Sequence, residues 1–144
     1  MIDDIKKLYL KNKEIVNYVI VGGMTTIVSL GSYYICVITF LNPKNAMQLQ
    51  IANIISWICA VAFAYITNRK YVFESKNVNK VQEVIKFVGA RISTLFIDII
   101  CMAIFVSLLK INDKLAKLLV QFVVFALNYI FSKLYVFNDG DSLN

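Results

Sequence analysis

The chain has 144 residues, of which 59% are hydrophobic and 17% are charged, and its formal net charge is +6. A mean hydropathy of +0.68 excludes a soluble domain of this length and indicates an integral membrane protein. A nucleic-acid-binding protein is excluded as well, because the basic residues form no soluble basic face.

The first segment carries lysines between Ile2, Ile5, Leu8 and Tyr9, which share one stripe of a helix. This segment either lies flat on an anionic membrane surface or forms a frayed, charged end. Two uncharged stretches follow, from 15 to 43 and from 45 to 68. Each exceeds the roughly 20 residues that cross about 30 Å of hydrocarbon, so we predict spans at about 18–41 and 46–67. The first is too long for a signal peptide, and we expect it to remain in the protein.

Two further spans are predicted in the second half of the chain. The third, at about 87–109, includes Arg91 and Asp98 within its apolar sequence. The fourth, at about 115–134, has its uncharged part between Lys117 and Lys133, whose long side chains can reach the membrane interfaces. The fold class is therefore predicted to be all-α, an integral membrane four-helix bundle.

The distribution of lysine and arginine predicts the topology. These residues cluster before the first span (Lys6, Lys7, Lys11 and Lys13) and between the second and third spans (Arg69, Lys70, Lys76, Lys80 and Lys86). Because positive loops stay on the cytoplasmic side, we expect both termini to be cytoplasmic.

An aromatic and basic motif occurs twice, and each copy closes a long uncharged segment. Internal repeats of this kind are typical of membrane carriers. They predict a single membrane domain over 1–144, built from two parallel two-helix repeats at about 17–74 and 86–139. In the first helices of the repeats, Val21-Gly22 aligns with Val88-Gly89. The two copies of the motif are Ala62, Tyr65, Ile66, Arg69, Tyr71, Val72 and Phe73, and Ala126, Tyr129, Ile130, Lys133, Tyr135, Val136 and Phe137.

Small residues recur at every fourth position of the second span, where Ala52, Ser56, Ala60 and Ala64 form a stripe that Asn68 completes. Such a stripe lets another helix approach closely, either within one protomer or between protomers. Four thin helices enclose little volume, so we also expect a homo-oligomer. The equivalent stripe in the fourth span is bulkier and reads Ala116, Val120, Val124, Asn128 and Ser132.

The sequence contains none of the residue arrangements that are typical of catalytic sites. It has no histidine, no paired carboxylates, no glycine-rich phosphate loop and no nucleophile beside a base. Its three cysteines lie in different spans without metal-ligand spacing, so we interpret them as apolar filling. We expect no enzymatic activity, no metal and no cofactor.

Polar residues at membrane depth are the functional candidates, because a charged side chain in lipid costs several kcal/mol, by some estimates roughly 3 at the helix centre. Asp98 lies about 16 Å beyond Phe87 along a helix, near the midplane. It either makes a structural hydrogen bond or contacts a substrate or coupling ion. Arg91, two helical turns earlier, is either a phosphate ligand or an interface anchor. The other members of this group are Asn53, Trp57, Lys117, Asn128 and Lys133.

Arg69 and Lys133 occupy equivalent positions of the repeated motif, each flanked by aromatic residues. Such residues commonly anchor a helix at the interface. Their recurrence, with Arg91 at similar depth, also predicts three cations around one lipid phosphate.

These motifs resemble those of the GtrA-like proteins over nearly the whole chain. Val21-Gly22-Gly23 with Thr25 or Thr26 is similar to the family's V-G-G-x-x-T opening of the first span. Asn68-Arg69-x-Tyr71-x-Phe73 resembles its N-R-x-W-x-F ending of span two. Asn128-Tyr129 followed by Lys133-x-Tyr135-Val136-Phe137 resembles its ending of span four. Tyr71 and Tyr135 replace the usual Trp, Ala64 stands where Asn is common, and Ser132 replaces a second Asn.

The resemblance implies a bacterial plasma-membrane protein of cell-surface polysaccharide synthesis or glycosylation, which translocates a polyprenyl-phosphate-linked sugar. Arg69, Lys133 and Arg91 would hold the phosphate on the cytoplasmic side, and Lys117 would receive it after crossing. Hydrogen bonds along a polar track would come from Asn53, Asn68, Asp98 and Asn128.

Two alternatives stay open. The first is a subunit that does not transport but anchors a glycosyltransferase in the membrane. The second, less favoured, is a small multidrug-type proton antiporter. That class expects an embedded acid in the first span, whereas Asp98 lies in the third.

Overall fold

The computed structural model describes residues 1–42 and 44–138. Every regular element in these ranges is helical, which confirms the predicted all-α class. The predicted domain and second repeat end at Asn144 and Asp139, which lie outside the described residues. The helices are α1 (Ile2–Lys11), α2 (Lys13–Thr39), α3 (Ala46–Thr67), α4 (Lys80–Met102) and α5 (Asp113–Phe131).

Three of these helices continue directly into a short π-helical turn. We name these turns π1 (Asn68–Val72, after α3), π2 (Ala103–Leu108, after α4) and π3 (Ser132–Val136, after α5). With the turns included, four helices are long and apolar enough to cross a membrane: Lys13–Thr39, Ala46–Val72, Lys80–Leu108 and Lys114–Val136. The four predicted spans are confirmed. Most extend beyond the predicted limits because the backbone stays helical past the charged residues that mark the interface.

The described chain divides into two compact units, unit 1 (Met1–Glu74) and unit 2, which begins at Ser75. Each unit is a helical hairpin with a loop end, where its two long helices are joined, and an open end, where its chain enters and leaves. In unit 1, Asn45 at the loop end caps α3 by accepting hydrogen bonds from the backbone N–H groups of Met47 and Gln48.

At the open end of unit 1, the first residues of α2 contact the end of the second span. The Asn17 amide donates to the carbonyl of Tyr71 at 3.0 Å, and Lys13 forms an ion pair with Glu74 at 2.7 Å. These contacts hold α2 antiparallel to the helix formed by α3 and π1.

The small-residue stripe of α3 forms the core of unit 1. Ala52, Ser56, Ala60 and Ala64 are all buried, and α2 is the helix that packs against α3. The prediction that this stripe faces a helix is confirmed. Of the two alternatives, the structure shows packing within one protomer, because α2 covers the stripe within one chain.

Unit 2 repeats this arrangement with larger side chains. The rings of Phe87 and Phe137 lie 5.9 Å apart at the open end, and Phe87 is fully buried. In the loop-end half of α5, Ala116 and Val120 are the buried residues of the stripe. Glu83 is also buried at the open end, where it accepts a hydrogen bond from the hydroxyl of Ser75 at 2.7 Å.

The aromatic contacts establish how the two hairpins correspond. Tyr18 contacts Phe73 in unit 1 at 6.4 Å between ring centroids, as Phe87 contacts Phe137 in unit 2. The π1 and π3 turns, Asn68–Val72 and Ser132–Val136, occupy equivalent positions of the repeated motif, so the second helices correspond as predicted, with Phe73 matching Phe137.

The first helices correspond differently from the prediction. Because Tyr18 matches Phe87, the counterpart of Val21 is Ala90, and both of these residues are buried. The predicted match of Val21 with Val88 is wrong for this face. The two Val-Gly pairs are identical in sequence but occupy different positions in their hairpins.

Candidate functional site

The repeated motif encodes a π-helical turn at the open end of each unit. The backbone N–H of Phe73 donates to the carbonyl of Asn68, and that of Phe137 donates to Ser132, both at 2.9 Å. These bonds span five residues instead of four, and π-turns of this kind are frequent at functional sites. Arg69 and Lys133 are the second residues of their turns.

Asn68, the first residue of π1, carries a buried acceptor. It is 1% exposed, and its amide N–H donates to the carbonyl of Ala64 at 2.7 Å. Its Oδ1 atom accepts no hydrogen bond within the described part of the chain. A buried unsatisfied acceptor costs about 1–3 kcal/mol, so Oδ1 presents a strong site for a donor. The equivalent residue in π3, Ser132, is also 1% exposed.

The predicted phosphate ligands lie in aromatic surroundings at the open ends. Arg69 is half-buried in unit 1, whereas Lys133 is exposed in unit 2. The Lys133 ammonium lies 3.4 Å from the hydroxyl of Tyr129 and 5.7 Å from its ring centroid. Lys70 and Lys86 lie in the same way over Tyr71 and Tyr135, at 5.2 and 5.3 Å. The aromatic rings thus position cations at both open ends.

Arg91 points toward the open end of unit 2. Its guanidinium carbon lies 4.6 Å from the ring centroid of Phe87, one turn earlier in α4, and Phe87 packs on Phe137. The half-buried Arg91 and the exposed Lys133 therefore belong to one end of the same hairpin. This orientation suits both interpretations of Arg91, an interface anchor and a phosphate ligand.

A polar contact joins α4 and α5 deeper in unit 2. The Thr94 hydroxyl lies 2.8 Å from Oδ1 of Asn128 and 3.0 Å from the carbonyl of Arg91. It carries one hydrogen. In one arrangement the hydroxyl donates to Oδ1 of Asn128. In the other it donates to the carbonyl of Arg91, and the Asn128 side chain is turned so that its N–H donates to the hydroxyl. In both arrangements, one polar atom of Asn128 makes no hydrogen bond to another described residue.

Thr94 is a candidate that the sequence interpretation missed. It is 2% exposed and follows Phe87 and Ala90 on one buried face of α4, a spacing that was visible in the sequence. In unit 1 the equivalent of Asn128 is Ala64, and Thr25 donates to the carbonyl of Val21 in its own helix at 2.7 Å. The polar contact between helices is therefore specific to unit 2.

Asp98 and Lys117, assigned to different tasks from the sequence, form an ion pair in unit 2. The Lys117 ammonium lies 3.0 and 2.8 Å from the two carboxylate oxygens of Asp98. The Asp98 side chain is 17% exposed and that of Lys117 is 47% exposed. Lys117 is one helical turn into α5, and Asp98 lies ten residues before the end of π2. The pair therefore lies in the loop-end half of unit 2.

An open groove of about 590 Å³ adjoins this pair, lined by Met102, Lys114, Lys117, Leu118 and Gln121. Four of these residues share one face of α5, at the i, i+3, i+4 and i+7 positions. Apolar side chains beside two ammonium groups suit an amphiphile with an anionic headgroup. This spacing was available in the sequence, but Lys114 and Gln121 were not among the predicted site residues.

Asn53 lies apart from this group, exposed on α3 in unit 1. It is the repeat equivalent of Lys117, and its side chain makes no hydrogen bond within the described residues. The described site residues thus fall into two sets. Unit 2 carries Arg91, Thr94, Asp98, Lys117, Asn128 and Lys133, whereas unit 1 carries Asn53, Asn68 and Arg69.

Comparison with known proteins identifies the family. Residues 17–137 match the family model described as GtrA/DPMS, transmembrane domain. The chain belongs to the GtrA/DPMS transmembrane family. The match includes both hairpins and the π1 and π3 turns, whereas α1 lies outside it. Family membership and four candidate spans make this a multi-pass membrane protein.

Individual proteins resemble the chain over most of its length. Over 126 residues the chain is 38% identical to a protein of Listeria monocytogenes serovar 1/2a named "Cell wall teichoic acid glycosylation protein GtcA" (85% of this chain, 83% of the relative). Its identity to the GtcA protein of Listeria innocua serovar 6a is 39%, with the same coverage. It is 38% identical to "Uncharacterized membrane protein YwcD" of Bacillus subtilis strain 168 over 83% of this chain and 93% of that protein. No solved structure gives a significant match.

Proposed function

We propose that this protein is a translocase that moves a polyprenyl-phosphate-linked sugar between membrane leaflets, in cell-surface polysaccharide synthesis or glycosylation. The observation that carries this proposal is a polar ladder along unit 2, defined as Arg91, Thr94 and Asp98 on α4 with Asn128 and Lys117 on α5. Arg91, Thr94 and Asp98 occupy one face of α4 over about 10 Å, at 1.5 Å per residue. The names of the Listeria relatives support the glycosylation context.

Transport of this kind requires polar groups along a path through the hydrocarbon, and the ladder provides them. A sugar or a phosphate group crosses hydrocarbon only where polar groups replace its water. Asn128, which the buried Thr94 contacts at 2.8 Å, offers an amide between the cations of the open end and the ion pair near the loop end. The prenyl tail would remain in the lipid, so the hairpin does not have to enclose it.

The charge distribution supports a direction for the two ends. The lysine and arginine clusters lie at the open ends, so we place these ends and both termini on the cytoplasmic side of a bacterial plasma membrane. In unit 2, Arg91 and Lys133 would bind the phosphate there, and Lys117 would bind it near the outer leaflet. In unit 1, Arg69 would bind a phosphate at the open end, and Asn68 and Asn53 would offer hydrogen bonds to a sugar. In this proposal the protein breaks no covalent bond.

Reconstitution tests the proposal directly. Proteoliposomes would receive a short-chain polyprenyl-phosphate sugar, and a membrane-impermeant reagent that oxidises sugars would report which leaflet holds it. We expect faster exchange than in protein-free vesicles, and slower exchange with Asn128→Leu. Gln50→Ala, an exposed polar position outside the ladder, should match the wild type.

The opposite result would favour the anchoring subunit. If the folded protein left the sugar in its original leaflet and a glycosyltransferase copurified with it at fixed stoichiometry, the translocase proposal would be wrong. The proton-antiporter alternative has less support, because Asp98, the deep acid of the third span, is already paired with Lys117.

A further inference from the structure

Lys117 has two neighbours that compete for the same charge. On one side both carboxylate oxygens of Asp98 lie within 3.0 Å of its ammonium. On the other side Lys117 lines the groove together with Lys114 and Gln121, whereas Asp98 is not among the groove-lining residues. An anionic headgroup in the groove would therefore meet the ammonium directly.

The ion pair is not needed to form a hairpin of this type. In unit 1 the equivalent of Lys117 is Asn53, and the equivalent of Asp98, taken from the aromatic contacts, is Ser29. These residues do not form an ion pair, yet α2 and α3 pack as an antiparallel hairpin. The Lys117 side chain is 47% exposed, so the pair adds little to stability, and charges present in only one of two similar hairpins call for another explanation.

We propose that Asp98 is a built-in competitor of a lipid phosphate for Lys117. When the groove holds no anion, the carboxylate neutralises the ammonium and keeps it at the groove wall. When a phosphate enters, the ammonium exchanges one anionic partner for the other, so Asp98 limits how tightly the phosphate binds and thereby favours its release. This inference rests on the proposed function, since it assigns a phosphate-bearing amphiphile to Lys117.

The proposal predicts effects of opposite sign at the two partners. Removing the Lys117 charge deletes a charge-assisted hydrogen bond, so Lys117→Gln should weaken binding of a short-chain polyprenyl phosphate about tenfold to a hundredfold. Removing the Asp98 charge deletes the competitor, so Asp98→Asn should tighten binding about twofold to fivefold. The double variant should bind like Lys117→Gln alone.

Binding would be measured in nanodiscs by native mass spectrometry, with each variant's thermal stability measured alongside. The probes would be the polyprenyl phosphate, the corresponding polyprenol and inorganic phosphate. Binding of the first probe alone means that headgroup and chain are both recognised, whereas binding of inorganic phosphate at the same concentration would overturn the lipid assignment. Gln50→Ala serves as the matched neutral control.

A charge-swapped variant keeps the test decisive if Asp98→Asn does not fold. Asp98→Lys with Lys117→Asp retains an ion pair but places the carboxylate at the groove, so phosphate binding should fall to the level of Lys117→Gln. A purely structural pair would instead leave binding near the wild-type value. If Asp98→Asn folds and weakens binding, the competitor proposal is overturned while the proposed function stands. If Lys117→Gln binds normally, the phosphate site at Lys117 is itself wrong.

Discussion

Single polar side chains make unit 2 different from unit 1. At matching positions of the second helices, Asn128 and Lys117 stand where unit 1 has Ala64 and Asn53. Each of the two has a partner on the neighbouring helix, Thr94 for the amide and Asp98 for the ammonium. The two hairpins therefore share a backbone arrangement but differ in the polar groups that they carry at membrane depth.

The Thr94–Asn128 contact should contribute measurably to stability. Thr94→Val keeps the side-chain shape but removes the hydroxyl, so we expect a loss of about 0.6–1.5 kcal/mol in the free energy of unfolding. Thr25→Val is the matched control. Thr25 donates only within its own helix, and its removal should cost less. Unfolding in mixed micelles would measure both variants, and equal losses would contradict a contact that joins the helices.

Arg69 and Lys133 test whether the repeated motif binds phosphate. Substituting either with Gln should weaken binding of a polyprenyl-phosphate sugar by about 1.5–3 kcal/mol, because a charge-assisted hydrogen bond is lost. Insertion and thermal stability should stay unchanged. Lys70→Gln is the control, since Lys70 is the adjacent exposed cation but has no cationic counterpart in the second copy of the motif, where Leu134 stands. Normal binding and translocation by the double Gln variant would leave interface anchoring as the role of both residues.

At the scale of elements, α1 is an amphipathic helix attached to the open end of unit 1. Ile2, Ile5 and Leu8 are largely exposed along one side of it. The Tyr9 hydroxyl donates to Asn17, whose amide donates to the carbonyl of Tyr71. This chain of hydrogen bonds connects α1 to the π1 turn. The alternative of a frayed end is not what the structure shows, because α1 is helical from Ile2 to Lys11.

We expect the apolar side of α1 to lie on the anionic inner leaflet, because four lysines and no acid occur between residues 5 and 13. Spin labels at Ile5 and Lys7, in a background without the three native cysteines, would measure depth by accessibility to oxygen and to a soluble nickel complex. In nanodiscs with anionic lipid, position 5 should be buried in lipid and position 7 exposed to water. Equal accessibility to the nickel complex at both positions would contradict this placement.

At the scale of the whole molecule, the distribution of charge predicts a topology with both open ends on the same, cytoplasmic side. Single cysteines at Asn77, between the units, and at Asn42, at the loop end of unit 1, would test it in the cysteine-free background. A membrane-impermeant thiol reagent applied to intact cells should label position 42 and not position 77. Labelling of both positions from one side would show that the topology is wrong.

The sequence by itself determined the class, the four spans and the family. These follow from summed hydropathy and from short motifs, and both are local properties of the chain. The repeat was also recognisable, because each copy encodes the same π-turn within a few residues.

Only the tertiary structure decided that α2 covers the Ala52–Ala64 stripe and that Tyr18 corresponds to Phe87. It alone joined Asp98 to Lys117 and Thr94 to Asn128. These pairings depend on how two helices are rotated and shifted against each other, and interlocking of side chains across the interface sets that arrangement. Neither helix specifies it alone.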